Sequence, residues 1–401
     1  MKSTFHSKRV KVASLLISLM MITGLSDLPD GSGTLHSGSE KAGTEMDSKS
    51  VINPDSEEKD FRFPAVPIYG DWTVYTMDDG LPSNKINAVK IDEDRILVGT
   101  DQGLAVLENG KWTIYTPEDG LAHRNVISLD VNASTGDVWI GTMSGLNRWS
   151  AGVFERFDQF NSGLANDVVY EVQADERYTW IATAAGANRF DTYTNQWKIF
   201  NEETSPMHEP WTYGITYGGE KAWIAAWGGG VVEYNNETDQ FRVYRDPDGH
   251  FQISLFPDDG LVHDITTGVA FDNGVLWVST YFGLSRYNGQ RWWGFFDHNS
   301  PLTSNFVNAV KAKYGIGYMA TDDGLNTSDG NVWVTYHPAE GSSLGETRIT
   351  IGDRQRRITT ETSISHGFIW NMDIRGDEIW VATSRGLSRG VVTGYADESI
   401  L

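Results

Sequence analysis

One pattern recurs seven times along this sequence and limits what it can fold into. In Asp137-Val-Trp-Ile-Gly-Thr-Met-Ser-Gly-Leu146, β-branched and aromatic residues suit a strand, and Gly145 supplies the positive φ that a tight reversal needs. Copies stand at Leu97-Val-Gly-Thr-Asp-Gln-Gly-Leu104, Trp180-Ile-Ala-Thr-Ala-Ala-Gly-Ala187 and Trp223-Ile-Ala-Ala-Trp-Gly-Gly-Gly230. Three more follow at Trp277-Val-Ser-Thr-Tyr-Phe-Gly-Leu284, Tyr318-Met-Ala-Thr-Asp-Asp-Gly-Leu325 and Trp380-Val-Ala-Thr-Ser-Arg-Gly-Leu387. Most lie roughly 40–50 residues apart, the interval of a four-stranded propeller blade.

Each unit also carries two aromatics three residues apart: Trp72 with Tyr75, Trp112 with Tyr115, Phe154 with Phe157, Trp197 with Phe200. The series continues with Phe241 and Tyr244, Trp292 and Phe295, and Trp333 and Tyr336. A Gly-Leu or Pro-Leu turn often comes next, then an apolar strand such as 86–91, 126–131 or 307–311. Four strands per unit result. From the axis outward they are A, B with the Trp-Ile-Gly-Thr core, C after the glycine, and D with the aromatic pair. The repeat begins on a D strand (72–76) and ends on a C strand (387–392), so the N-terminal D strand is expected to complete the last blade and remove an open sheet edge. The expected fold is all-β: a seven-bladed β-propeller over 61–401, closed by one N-terminal and three C-terminal strands.

Composition narrows the function. A formal net charge of -22 repels phosphate backbones, so nucleic acid is not an expected partner. With no cysteine, disulfides, thiolate metal sites and cysteine nucleophiles are excluded. Lys2, Lys8, Arg9 and Lys11 precede an apolar run from Val12 to Leu25, the plan of a secretory signal peptide over 1–26. That run is short for a membrane span, so a periplasmic or secreted protein is expected, starting near Asp27. Residues 27–60, polar and without periodicity, read as a disordered linker.

Aromatic pair, Gly-Leu turn, Trp-Ile-Gly-Thr and Gly-Leu together resemble the two-component regulator propeller repeat, which builds the periplasmic sensor regions of hybrid histidine kinases. The resemblance covers roughly residues 70–390. WD-repeat propellers are less similar, because no blade ends in Trp-Asp. In the sensor kinases an immunoglobulin-like module, a membrane span and kinase domains follow the repeats, whereas this sequence runs to Leu401 with none of them. The resemblance therefore implies a propeller fold and ligand or partner binding, without a kinase of its own.

In this strand order the D-to-A loops and B-to-C turns share one face around the channel mouth. The two longest D-to-A insertions, 245–259 and 337–365, are expected there, the second with a hairpin around Gly352-Asp353. Four of the nine histidines, His123, His208, His263 and His366, fall just before an A strand, where other units hold Asn84, Asn166, Asp167 and Asn305. Turn chemistry accounts for them most simply; a ligand or metal site, or general acid–base work, are the sharper alternatives. Aromatics crowd the same mouth: Trp211, Tyr213, Trp227, Tyr281, Phe282 and Trp370. Flat rings with polar neighbours suit a glycan or a peptide anchor. Ligand-binding candidates are thus Trp227, Tyr281, Phe282, Trp211, His208, His263, His123 and His366, centred between blades four and five. Asp246-Pro-Asp-Gly249 has the start of a calcium loop but not the ligands that should follow. No catalytic triad, phosphate-cradling loop or close carboxylate pair stands out, so a monomeric binding protein without cofactor is expected. The alternative is a propeller enzyme like the streptogramin-inactivating lyases, with a histidine and a divalent cation at the channel mouth.

Overall fold

A computed structural model describes residues 63–249, 258–339 and 344–400. The expected signal peptide and linker lie outside the described residues, as does the 250–257 part of the first insertion. The described residues form seven antiparallel sheets, and the A strands meet their neighbours all the way round. In blade order these are Ile86–Asp92, Val126–Val131, Val169–Ala174, Thr212–Gly218, Thr266–Asp272, Val307–Lys313 and Ile369–Arg375. The seven-bladed propeller is confirmed. Among the described residues no helix is long and apolar enough to cross a membrane.

The repeated motif builds each blade with the same few bonds. Thr142 Oγ1 donates to Gly145 O at 2.6 Å and accepts from Ser144 N at 3.1 Å, tying the B-to-C turn to itself. Thr100, Thr183, Thr280, Thr321 and Thr383 do likewise in their blades. Glycine follows because φ is positive and because strand D passes close: a Cβ on Gly103 would lie 2.6 Å from Tyr115 O. Blade four has Ala226 where the threonine belongs. There Thr266 of blade five substitutes, its Oγ1 donating to Ala226 O at 2.9 Å and Gly230 O at 3.1 Å.

Strand B's tryptophan then locks blade to blade. Trp139 is fully buried, 5.8 Å from Phe157 in its own blade and 5.6 Å from Phe190 in the next. Trp180 repeats this with Phe200 and Tyr234. Truncating such a residue to alanine costs about 3–5 kcal/mol, so the motif is a packing device.

Closure is as expected, but with longer strands. Val66–Tyr75 pairs with Gly386–Ala396, in register from Val66↔Ala396 to Tyr75↔Leu387 with two irregularities. Tyr75 stacks on Trp380 at 5.4 Å, the D-on-B contact of the other blades. The second insertion corrects an expectation. Its hairpin exists, as Gly345–Ile351 and Arg354–Thr360, but it adds two outer strands to blade six instead of overhanging the mouth. The reason is its alternation. Gly345, Thr347 and Ile349 form a buried row, and Ile349 joins a cluster with Val66, Tyr69 and Tyr336 beside the closing strand.

Candidate functional site at the propeller channel

D-to-A loops and B-to-C turns do share one face, the loop face. Met143 N donates to Asn125 O, Trp227 N to Trp211 O and Ser384 N to Phe368 O, each turn bonded to a residue just before an A strand. The histidines there serve turns. Nδ1 accepts the N–H two residues on in His123 (Asn125, 3.0 Å), His263 (Ile265, 2.9 Å) and His366 (Phe368, 2.9 Å). Ser83, Asn166 and Ser304 make the same bond in other blades. An accepting Nδ1 carries no proton. Consistently, burial lowers the pKa of His123 and His366, with Arg124 and Arg385 adding to the effect.

Two details differ from the sequence reading. Asn84, Asp167 and Asn305 stand one position later and cap the starts of their loops, accepting from Met77, Gln159 and Asp297. His208 is out of register, because Glu209 stands at the equivalent place, and it is exposed. The four histidines belong to four different blades. His263 is buried, its ring 4.3 Å from Phe282. Among the described residues no group of three or more His, Asp or Glu side chains is placed to hold a metal ion. Asp246, which starts the Asp246-Pro-Asp-Gly249 segment, is buried. Its Oδ1 accepts from Asp248 N, and its pKa is pushed up to about 6, first by burial and then by Asp264, Asp248 and Asp259.

The aromatics do converge. Tyr213 lies 5.2 Å from Trp227, and Trp227 lies 5.0 Å from Tyr281, edge to face. Two rings missed from sequence extend the row: Tyr170 stacks on Tyr213 at 4.4 Å, and Phe306 sits 5.7 Å from Tyr281. All five are half-buried and arc across blades three to six. Aligning the units would have found both, since Tyr170 matches Tyr213 and Phe306 directly precedes its A strand. Burial raises the Tyr213 hydroxyl pKa, with Tyr170 contributing. Trp211 supplies its carbonyl to Trp227 N. Trp370 stands apart in blade seven, 4.7 Å from Phe368 and with the Lys85 ammonium 6.0 Å from its ring. Amides continue the rim, with Asn87 Nδ2 donating to Asn125 Oδ1 at 2.8 Å.

A cavity of about 1020 Å³ occupies the other half of the channel, toward the A-to-B turns, lined by the A strands of all seven blades. Charge collects on its wall. Lys90 Nζ lies 2.7 Å from Asp130 Oδ1, and Lys311 of blade six reaches across to Glu171 Oε1 of blade three at 2.7 Å. Burial opposes both ammonium charges, but Asp130 and Asp373 outweigh it at Lys90, and Glu171 does at Lys311, so both pKa values rise. Each carboxylate also caps the next blade: Asp130 accepts from Ala174 N, Glu171 from Ile215 N and Asp373 from Ile91 N.

No protein-family model matches the sequence, and no curated protein matches it. Solved structures do. The extracellular domain of a hybrid two-component system from B. thetaiotaomicron superposes with a TM-score of 0.59 at 16% identity, over 82% of this chain and 42% of that one. The extracellular domain of a one-component system from the same organism gives 0.50 at 16%, over 82% and 51%. Virginiamycin B lyase from Staphylococcus aureus gives 0.55 at 12%, over 80% and 98%. At these identities the likeness establishes the fold. The chain is a seven-bladed propeller of the architecture that these extracellular domains also use, and it spans about half or less of those two chains.

Proposed function

We propose that this protein is an exported sensor-type propeller that binds a glycan across the aromatic arc of its loop face and performs no chemistry there. The five-ring row from Tyr170 to Phe306 carries the reading. A packed blade interior needs none of these rings half-exposed at a channel mouth, and sugar rings stack on such surfaces beside amide hydrogen-bonding groups. Because the blades already hold the rings, little ordering entropy opposes binding. Extracellular fold neighbours and the basic, then apolar, start of the sequence support export. A lyase has a fold likeness in its favour, but three of the histidines it would draw on give Nδ1 to a local turn.

Glycan and peptide arrays on the intact chain, followed by calorimetry, test this. Trp227→Ala and Tyr281→Ala should each remove about 1–3 kcal/mol of binding to an oligosaccharide while leaving the melting temperature near that of the parent. Selective capture of peptides would replace the ligand class. Unchanged binding in the double variant would move the site elsewhere.

A further inference from the structure

We infer that the channel half opposite the aromatic arc is a second ligand site, shaped for a neutral polyhydroxylated molecule of mono- or disaccharide size. Its volume, about 1020 Å³, is at the upper end for small-molecule sites. Its wall is polar and held in place. Asp130, Glu171 and Asp373 each fix one carboxylate oxygen on a neighbouring blade's N–H. Lys313 Nζ donates to Ile374 O at 2.9 Å, and Tyr217 Oη donates to Ala174 O at 3.0 Å. Arg95 is held by Asp92 at the rim.

Charge selects the ligand class. Lys90 pairs with Asp130 and Lys311 with Glu171, and both lysines feel Asp373, so the cluster is nearly compensated. An added ion would disturb that balance, and the net charge of -22 repels anions further. Hydrogen bonding remains on offer. An ammonium has three N–H donors, and Lys90 and Lys311 each direct one at a carboxylate, while Asn371 and Gln173 line the same cavity. Donors and acceptors together on the wall of one cavity match hydroxyls, which both give and accept, and bonds to charged groups are the stronger kind.

The experiment is calorimetry of the intact chain with glucose, N-acetylglucosamine, maltose and myo-inositol, and with glutamate and arginine as charged probes. At least one neutral probe should bind saturably. Asn371→Ala, which removes a polar group without adding bulk, and Gln173→Trp, which fills space, should each weaken it about tenfold or more. Trp227→Ala/Tyr281→Ala should leave it unchanged, which separates this site from the aromatic arc. Should Gln173→Trp fail to fold, Asn371→Ala still decides. No saturable heat from any neutral probe, tighter binding of glutamate or arginine, or a loss that follows the aromatic pair instead of Asn371 would overturn the inference.

Discussion

Gly186 holds φ at +112°, and a Cβ there would lie 2.4 Å from Phe200 O. Gly186→Ala should therefore cost about 2–4 kcal/mol by urea unfolding, whereas Gly219→Ala, with φ +62° but nothing within 4 Å of its Cβ, should cost about 1 kcal/mol. The glycines were legible in sequence because a positive φ leaves few choices of residue. The histidines were less so: several side chains can serve the same turn, and Ser83 or Asn166 does for its blade what His123 does for another. Asp246 gives a pH test. Its folded pKa of about 6 exceeds the ordinary value near 3.9, so the folded state holds a proton that the unfolded chain has lost. That contribution is full below about pH 4 and is lost as pH rises through 6. Asp246→Asn should match the parent near pH 4 and exceed its stability by about 1–2 kcal/mol at pH 8, allowing for screening by solvent.

At the scale of elements, the closing strand carries a clear consequence. It places Val66, Tyr69 and Trp72 in the buried cluster of blades six and seven, and Tyr69 N donates to Tyr336 Oη at 3.0 Å. Deleting the chain through residue 76 should lower the melting temperature drastically or cause aggregation, while deleting 27–60 should leave it nearly unchanged; equal melting of the two would contradict this closure. The sequence showed that a D strand opens the repeat and a C strand ends it. It did not show that pairing reaches back to Val66, since residues 66–71 carry none of the motif. The blade-six hairpin was legible as a hairpin and not in its location. Alternation says which face is buried, while the choice of neighbour depends on what the rest of the fold leaves uncovered.

At the scale of the molecule, the Lys311–Glu171 pair ties blades three and six across the axis. Lys311→Met leaves Glu171 unpaired and should cost about 3–5 kcal/mol; adding Glu171→Gln should recover part of it, read as a positive coupling in a double-mutant cycle. Neither the tie nor the cavity could be read beforehand, because seven strands contribute a residue or two each, and only the closed ring brings them together. The aromatic arc was half legible: Tyr213, Trp227 and Tyr281 stood out in turns or near the mouth, while Tyr170, inside an A strand, and Phe306, just before one, carried none of the repeated motif. Closure also sets a clock. Ile68 O accepts from Thr393 Oγ1 across 325 positions of sequence. At roughly 5–20 residues per second of synthesis, an early strand waits about 15–65 seconds for the partner that completes its sheet. The ring therefore cannot close before its last strand is made, and until then the growing chain carries an unfinished sheet edge that a chaperone can hold.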